Sequence, residues 1–208
     1  MEHERRVAVV APVAGLLLGV LDFVWIKYLP FPLAGLGNSI AVWAVAAFLF
    51  TLGNRWSMPL AVCGAIVMLV VAVPAYYAAA ALIQRDDWAN LWAVPSLLWM
   101  GLGVVAGAFF GAGGVLARTP GRLRLPALAL PAAVLLAELI IELRRLGDAG
   151  YDRHDTVGYA AVLAILAVAV TVLVGRTWRD RALALVCAVP LSVVGHLLLV
   201  STAFRGDG

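Results

Sequence analysis

The stretch TVGYAAVLAILAVAVTVLVG, residues 156–175, decides the fold, because its 20 residues include no charged side chain. A helix of about 20 apolar residues rises about 30 Å, which matches the hydrocarbon core of a bilayer. Backbone groups in lipid must be paired within their own segment, so this stretch is predicted to be a spanning helix. The whole chain is 64% hydrophobic and 13% charged, whereas soluble domains average roughly 45–50% and about 25%. The sequence therefore predicts an integral membrane protein.

Six further apolar stretches surround this one. The sequence predicts seven spans, at residues 7–27, 35–53, 58–83, 91–116, 125–146, 156–175 and 181–204. The second is the weakest, because its uninterrupted apolar run begins only at Ile40. If that segment is re-entrant, the number of spans falls to six. Because the loops are short, we expect residues 1–208 to form a single domain, an all-α polytopic transmembrane helical bundle.

The basic residues predict an orientation. With seven spans, nine of the 15 Lys and Arg residues fall on the side of the N-terminus and six on the other side. Loops rich in Lys and Arg stay in the cytoplasm, so we expect a cytoplasmic N-terminus in the cell membrane. The formal charge of +3 fits Arg-rich loops beside anionic lipid. The expected partner is thus the lipid bilayer, and no nucleic acid is expected.

The sequence identifies no cofactor, catalytic centre or metal site. A retinal protein needs a lysine in its last span, but Lys27, at the end of the first span, is the only lysine. A transmembrane b-type haem needs two buried histidines, and only His196 lies inside a predicted span. The two cysteines lie in different spans and are expected to be apolar packing residues. The cofactor therefore remains unknown.

Polar side chains within the predicted spans point to a functional site. A charge at the bilayer centre costs ~2.5–3.5 kcal/mol on insertion scales, so such residues call for a functional hypothesis. With the topology above, they fall at a common depth in the outer half of the membrane. The candidate pocket residues are Asp22, Asn38, Ser39, Trp99, Glu138, Glu142 and His196. Trp43 and Trp99 lie deep enough to need a partner for the indole N–H, which favours them as pocket walls.

Glu138 and Glu142 are four residues apart and share one helix face. Two close carboxylates in a low dielectric do not both ionise cheaply, so one would hold a proton or a cation would lie between them. The alternative is structural. Glu142 would then pair with Arg145, and Glu138 would bond to a hydroxyl or amide on a neighbouring helix.

The other ionisable groups have structural alternatives as well. Asp22 would pair with an arginine or with Asn38, and His196 would be a hydrogen-bonded core histidine. Tyr76 and Tyr77 are neighbours on one helix and point about 100° apart. We therefore expect at most one of these two tyrosines to line a pocket.

Gly103, Gly107 and Gly111 recur every four residues and lie along one helix face. Small residues allow helices in lipid to approach closely, since lipid tails are as apolar as leucine. This face is expected either to pack inside the protein or to dock a partner membrane subunit.

Three segments carry a resemblance: NSIAVWAVAAFLF (38–50), YYAAAAL (76–82) and GLGVVAGAFFGAGG (101–114). With them the chain resembles a bacterial family of uncharacterised multi-pass membrane proteins, which implies a fold but no mechanism. More loosely, the chain is similar in size to the substrate-capturing subunits of energy-coupling-factor vitamin transporters, which dock their partner through small-residue helix faces.

These observations favour three functions, in this order. The first is the binding or transport of a small solute or cation in an outward-facing polar pocket. The second is a membrane enzyme acting on a lipid or isoprenoid, with Asp22, Glu138 or Glu142 as general acid. The third is a structural subunit that docks through its glycine face.

Overall fold

The computed structural model of the protein describes residues 2–148 and 150–202, with the side chains of 4–37, 39–148 and 150–197. Over these residues the chain is all-helical and contains no strand. The α-helices are α1 (Glu2–Tyr28), α2 (Ile40–Gly53), α3 (Met58–Gln84), α4 (Val94–Arg118), α5 (Arg124–Arg145), α6 (Arg153–Val174) and α7 (Trp178–Thr202). Two short 3₁₀ helices, Leu33–Asn38 and Trp88–Trp92, precede α2 and α4.

Six of the α-helices are long and apolar enough to cross a membrane, which fits the predicted helical membrane bundle. The exception is α2, whose 14 residues rise only about 21 Å. The expectation of one continuous span over 35–53 is wrong, because Leu33–Asn38 form a separate 3₁₀ helix. Ser39 then starts α2, since its hydroxyl accepts a hydrogen bond from the backbone N–H of Val42 at 3.1 Å.

The contacts of α2 with residues of α1 show the direction in which this short helix runs. Near its beginning, Trp43 is hydrogen-bonded to Asp22 of α1. Near its end, Phe50 borders Gly64 of α3 together with Val7 of α1. Asp22 and Val7 are 15 residues apart, or about 22 Å along a helix. α2 therefore runs in the direction opposite to α1.

The chain divides into two compact units, residues 1–30 with 34–119 and residues 31–33 with 120–208. In the first unit α3 contacts α1, α2 and α4, and α2 also packs against α4. In the second unit α5 packs against both α6 and α7. That residues 1–208 form a single domain remains a prediction.

Glycines allow α4 to lie directly against α3. A Cβ atom at Gly107 would lie 2.7 Å from the Cα atom of Ile66, which is closer than real Cβ contacts. Gly103, Gly107 and Gly111 are all buried against α3. Their face is thus occupied within the first unit, and the expectation that it docks a partner subunit is wrong. The alternative, internal packing, is what the structure contains.

At each end of the first unit, a long basic side chain donates a hydrogen bond to a backbone carbonyl of another segment. At one end Lys27 donates to the carbonyl of Ile83 at 3.2 Å, which joins the last turns of α1 and α3. At the other end Arg118 donates to the carbonyl of Trp56, which lies just before α3. A buried apolar cluster completes that second end, formed by Val7, Trp56, Ala61 and Val115.

In the second unit an ion pair joins the first turns of α5 and α7. The guanidinium of Arg124 donates two hydrogen bonds to the carboxylate of Asp180, at 3.1 and 2.9 Å. Asp152 begins α6, since its Oδ1 atom accepts from the backbone N–H of Asp155 at 2.9 Å. Phe31 belongs to this unit, with its ring centroid 5.9 Å from that of Tyr159.

Candidate functional site

A cavity of about 140 Å³ lies among α1, α2, α3 and α4 of the first unit. Three of the predicted pocket residues line it, namely Asp22, Ser39 and Trp99. Three further polar or aromatic residues line the cavity beside them, namely Trp43, Tyr76 and Tyr77. Each helix of the unit therefore contributes at least one of these side chains.

Among the described residues, Asp22 is the one carboxylate in the wall of this cavity, and it is only 8% exposed. Its Oδ2 atom accepts a hydrogen bond from the indole Nε1 of Trp43 at 3.1 Å. No other hydrogen bond and no ion pair reaches Asp22 from the described side chains. The expected pairing with an arginine is therefore wrong, because the donor to Asp22 is the indole N–H of Trp43 on α2. The side chain of Asn38 lies outside the described residues.

Aromatic rings form much of the remaining wall. Tyr76 and Tyr77 both line the cavity, with ring centroids 5.4 Å apart and ring planes 83° apart. The expectation that at most one of them does so is wrong, because the cavity extends across more of α3 than one side chain covers. Trp99 of α4 is 37% exposed and closes part of the rim.

Ser39 also lines the wall, and its hydroxyl oxygen is used in a hydrogen bond with the backbone. Its side chain is buried, and its hydroxyl oxygen accepts from the N–H of Val42. Because that bond satisfies an otherwise unpaired amide in the first turn, it fixes the start of α2 at the cavity.

The two predicted glutamates lie in the second unit, and each has a protein partner. Glu142 forms an ion pair with Arg145, with 2.5 Å between Oε1 and Nη1. Tyr159 of α6 donates its hydroxyl to Oε1 of Glu138 at 2.6 Å. These contacts are those of the structural alternative: the Glu142–Arg145 pair lies within α5, and the hydrogen bond from Tyr159 to Glu138 joins α6 to α5.

His196 of α7 is buried, with 4% of its surface exposed. Neither ring nitrogen has a hydrogen-bond partner among the residues that the structure describes. The expected hydrogen bond of a core histidine is therefore not found in this part of the chain. The neighbouring Gly195 faces Ala137, which places this part of α7 along α5.

Sequence reasoning identified Trp43 as a wall residue but missed it as the partner of Asp22. The available signal was chemical, because an indole N–H in lipid requires an acceptor and Asp22 is the nearest deep carboxylate along the chain. The sequence analysis also did not identify the cluster of Asp152, His154 and Asp155. The side-chain atoms of these residues that could bind a metal ion lie within 4.8 Å of one another. All three are exposed, and the cap that Asp152 forms on α6 accounts for its position.

Residues 2–203 match a family described as one of unknown function, DUF6518. The chain belongs to this family. No curated protein and no solved structure matches it. The DUF6518 match includes the three segments that resembled an uncharacterised family, 38–50, 76–82 and 101–114. A bacterial origin and the likeness to energy-coupling-factor subunits remain predictions.

Proposed function

We propose that this DUF6518 protein binds a small solute in the cavity of its first unit, with Asp22 as the polar anchor. The observation that carries the proposal is the environment of Asp22, a carboxylate buried in a cavity wall with Trp43 as its hydrogen-bond donor. A buried carboxylate is costly unless hydrogen bonds or an opposite charge compensate it. A bound solute would supply the further hydrogen bonds or the opposite charge that the indole of Trp43 does not provide.

The size of the cavity limits the solute. Its volume of about 140 Å³ is close to that of an engineered cavity of ~150 Å³ that holds benzene. The group of the solute that enters the cavity would therefore be about as large as benzene. Since α1 to α4 all contribute to the wall, the bound solute would also stabilise the first unit as a whole.

The charges of the first unit support an outward-facing cavity. The end away from the cavity carries four arginines, Arg5, Arg6, Arg55 and Arg118. The cavity end carries two basic residues, Lys27 and Arg85, together with Asp86 and Asp87. Under the positive-inside rule the cavity end faces away from the cytoplasm, and the N-terminus faces the cytoplasm.

A thermal-unfolding screen of the protein in a maltoside detergent tests the proposal. The panel contains amines, amino acids, sugars, nucleosides and inorganic salts. Three variants accompany the wild type. Asp22→Asn removes the charge but keeps an acceptor for Trp43. Ala106→Trp fills the cavity from α4, and Asp86→Asn removes an exposed charge at the same end of the unit as a control.

We expect at least one solute to raise the Tm of the wild type and of Asp86→Asn by about 5 °C or more at saturation. The same solute should have no effect on Asp22→Asn or Ala106→Trp. The proposal fails if no solute of the panel stabilises the wild type. It also fails if the stabilisation persists in both cavity variants.

A second candidate function, an enzyme that acts on a membrane lipid or isoprenoid, is favoured by the rim of the same cavity. Ile40 and Leu102 line the cavity, and they are 41% and 52% exposed, so an apolar chain could reach it from the side of the helices. Since Asp22 lines this cavity and Glu138 and Glu142 do not, Asp22 would be the general acid. Mass spectrometry of a polar lipid extract incubated with wild type and Asp22→Asn tests this, because only the wild type should produce a new species.

A further inference from the structure

We propose that the solute of this cavity is an organic ammonium ion, held by the Asp22 carboxylate and by the aromatic rings around it. This inference rests on the function proposed above and adds the chemical class of the ligand. Four aromatic residues surround the cavity with Asp22, namely Trp43, Tyr76, Tyr77 and Trp99. An organic cation is attracted to the faces of such rings at roughly 6 Å or less, and aromatic cages are how proteins recognise quaternary ammonium groups.

The charge balance of the cavity favours a cation over an anion as its ligand. Asp22 has no ion-pair partner among the described side chains. The basic group near the end of the same helix, Lys27, donates to the carbonyl of Ile83 and lies 6.0 Å from the ring of Phe23. An organic ammonium ion would compensate the carboxylate that these groups leave uncompensated, whereas an anion would be repelled by it.

The described side chains of the wall offer too few oxygen atoms for a divalent metal ion. Ca²⁺ takes about six to eight oxygen ligands, and Mg²⁺ takes about six in a near-ideal octahedron. The cavity offers one carboxylate, and the hydroxyl of Ser39 already caps α2. Among the described side chains of this wall, the remaining oxygens are the hydroxyls of Tyr76 and Tyr77. A ligand with one positive charge and an apolar surface fits this set of groups better.

The ammonium group has two chemical sources, a free solute or the headgroup of a choline lipid. The shared chemistry is the quaternary ammonium, which the carboxylate and the rings would bind in both cases. The exposed rim residues Ile40 and Leu102 would accommodate the apolar part of a lipid. The experiment therefore has one arm for each source.

Isothermal titration of the detergent-purified protein with choline tests the inference. The matched ligand control is 3,3-dimethyl-1-butanol, which has the shape of choline without its charge. Asp22→Asn removes the anchor and Trp99→Leu removes one ring. Their controls are Asp86→Asn and Trp92→Leu, since Asp86 and Trp92 are exposed and do not line the cavity.

We expect choline to bind the wild type and both controls with the same Kd. The Kd should rise at least tenfold in Asp22→Asn and about fivefold or more in Trp99→Leu, because the charge and one ring are lost. The neutral alcohol should show no saturable binding. In a second arm, nanodiscs of phosphatidylcholine should compete with choline if the source is a headgroup, and nanodiscs of phosphatidylglycerol should not; competition or its absence identifies the source.

The inference is overturned if the neutral alcohol binds as tightly as choline, or if Na⁺ or K⁺ alone gives a stabilisation that depends on Asp22. In those cases the cavity still binds a solute, and the proposed function stands. If a sugar or nucleoside of the thermal screen binds instead and choline does not, the inference fails alone. If nothing in the screen binds, both fail.

Discussion

Asp22 of α1 accepts a hydrogen bond from the indole of Trp43 of α2, with 3.1 Å between Oδ2 and Nε1. The bond joins two helices whose residues are 21 positions apart in the chain. It satisfies the indole N–H, fixes the beginning of the shortest α-helix against α1, and leaves the Asp22 carboxylate in the wall of the cavity. The same contact therefore links α1 to α2 and positions the carboxylate of the candidate site.

A double-mutant cycle measures the energy of this contact. Because the hydrogen bond is partly buried and involves a carboxylate, we expect Asp22→Ala and Trp43→Phe to be coupled by about 1–3 kcal/mol. The measurement is the free energy of unfolding of the two single variants and the double variant in detergent. Strictly additive effects would show that the bond does not form in the protein.

Two glycines of α4 should respond in opposite directions to the same substitution. Gly107→Ala places a Cβ atom 2.7 Å from the backbone of Ile66, so α3 and α4 must separate, and we expect a loss of about 1–3 kcal/mol. Gly101→Ala meets no atom within 4 Å, and alanine favours the helix by about 0.5–1 kcal/mol.

Thermal unfolding of the two variants checks the prediction, with Gly101→Ala as the control for helix propensity. A decrease in Tm for Gly107→Ala and a small increase for Gly101→Ala would support the close contact between α3 and α4. Equal effects at both positions would contradict it, because helix propensity alone treats the two glycines alike.

The hydroxyl of Tyr159 should matter more than that of Tyr151. Tyr159→Phe removes the donor to Glu138 on the neighbouring helix, and the loss of such a bond costs about 1–3 kcal/mol. Tyr151 is 47% exposed, so Tyr151→Phe should change stability by less than about 0.5 kcal/mol. Chemical denaturation of both variants measures the difference. Similar small effects would mean that Glu138 does not serve the packing of α5 and α6.

The proposed orientation predicts which loops react from outside the cell. The background is Cys63→Ala with Cys187→Ala, which removes the native thiols. In it, Asp86→Cys should react with a membrane-impermeant maleimide on intact cells, because it lies at the cavity end. Arg55→Cys should react only after the cells are opened. The reverse pattern would place the cavity end in the cytoplasm.

The sequence predicted the spanning helices and four of the residues that line the cavity, Asp22, Ser39, Trp43 and Trp99, because length, hydropathy and intramembrane polarity act locally along the chain. It left open how the polar groups pair, because that depends on how helices rotate against each other. Trp43 rather than an arginine faces Asp22, and Tyr159 rather than a ligand faces Glu138. In the same way, glycine spacing identified a packing face of α4 but not α3 as its partner.

The separation of residues 33–38 from α2 is a second feature that the sequence did not predict. Residues 33–38 are apolar enough to extend a span, yet they form a 3₁₀ helix, and Ser39 begins a new helix with its hydroxyl. The serine is a recognisable helix-start signal. The apolar neighbours of Ser39 favour one continuous helix, whereas the serine favours a new helix start. The structure shows that a new helix starts at this serine.

Native mass spectrometry of the protein released from maltoside in the presence of choline tests the central claim most directly. The predicted result is one bound choline per chain for the wild type and for Asp86→Asn, and none for Asp22→Asn. Equal loading of the wild type and Asp22→Asn, or no loading of either, would contradict the claim that the Asp22 cavity holds an organic cation.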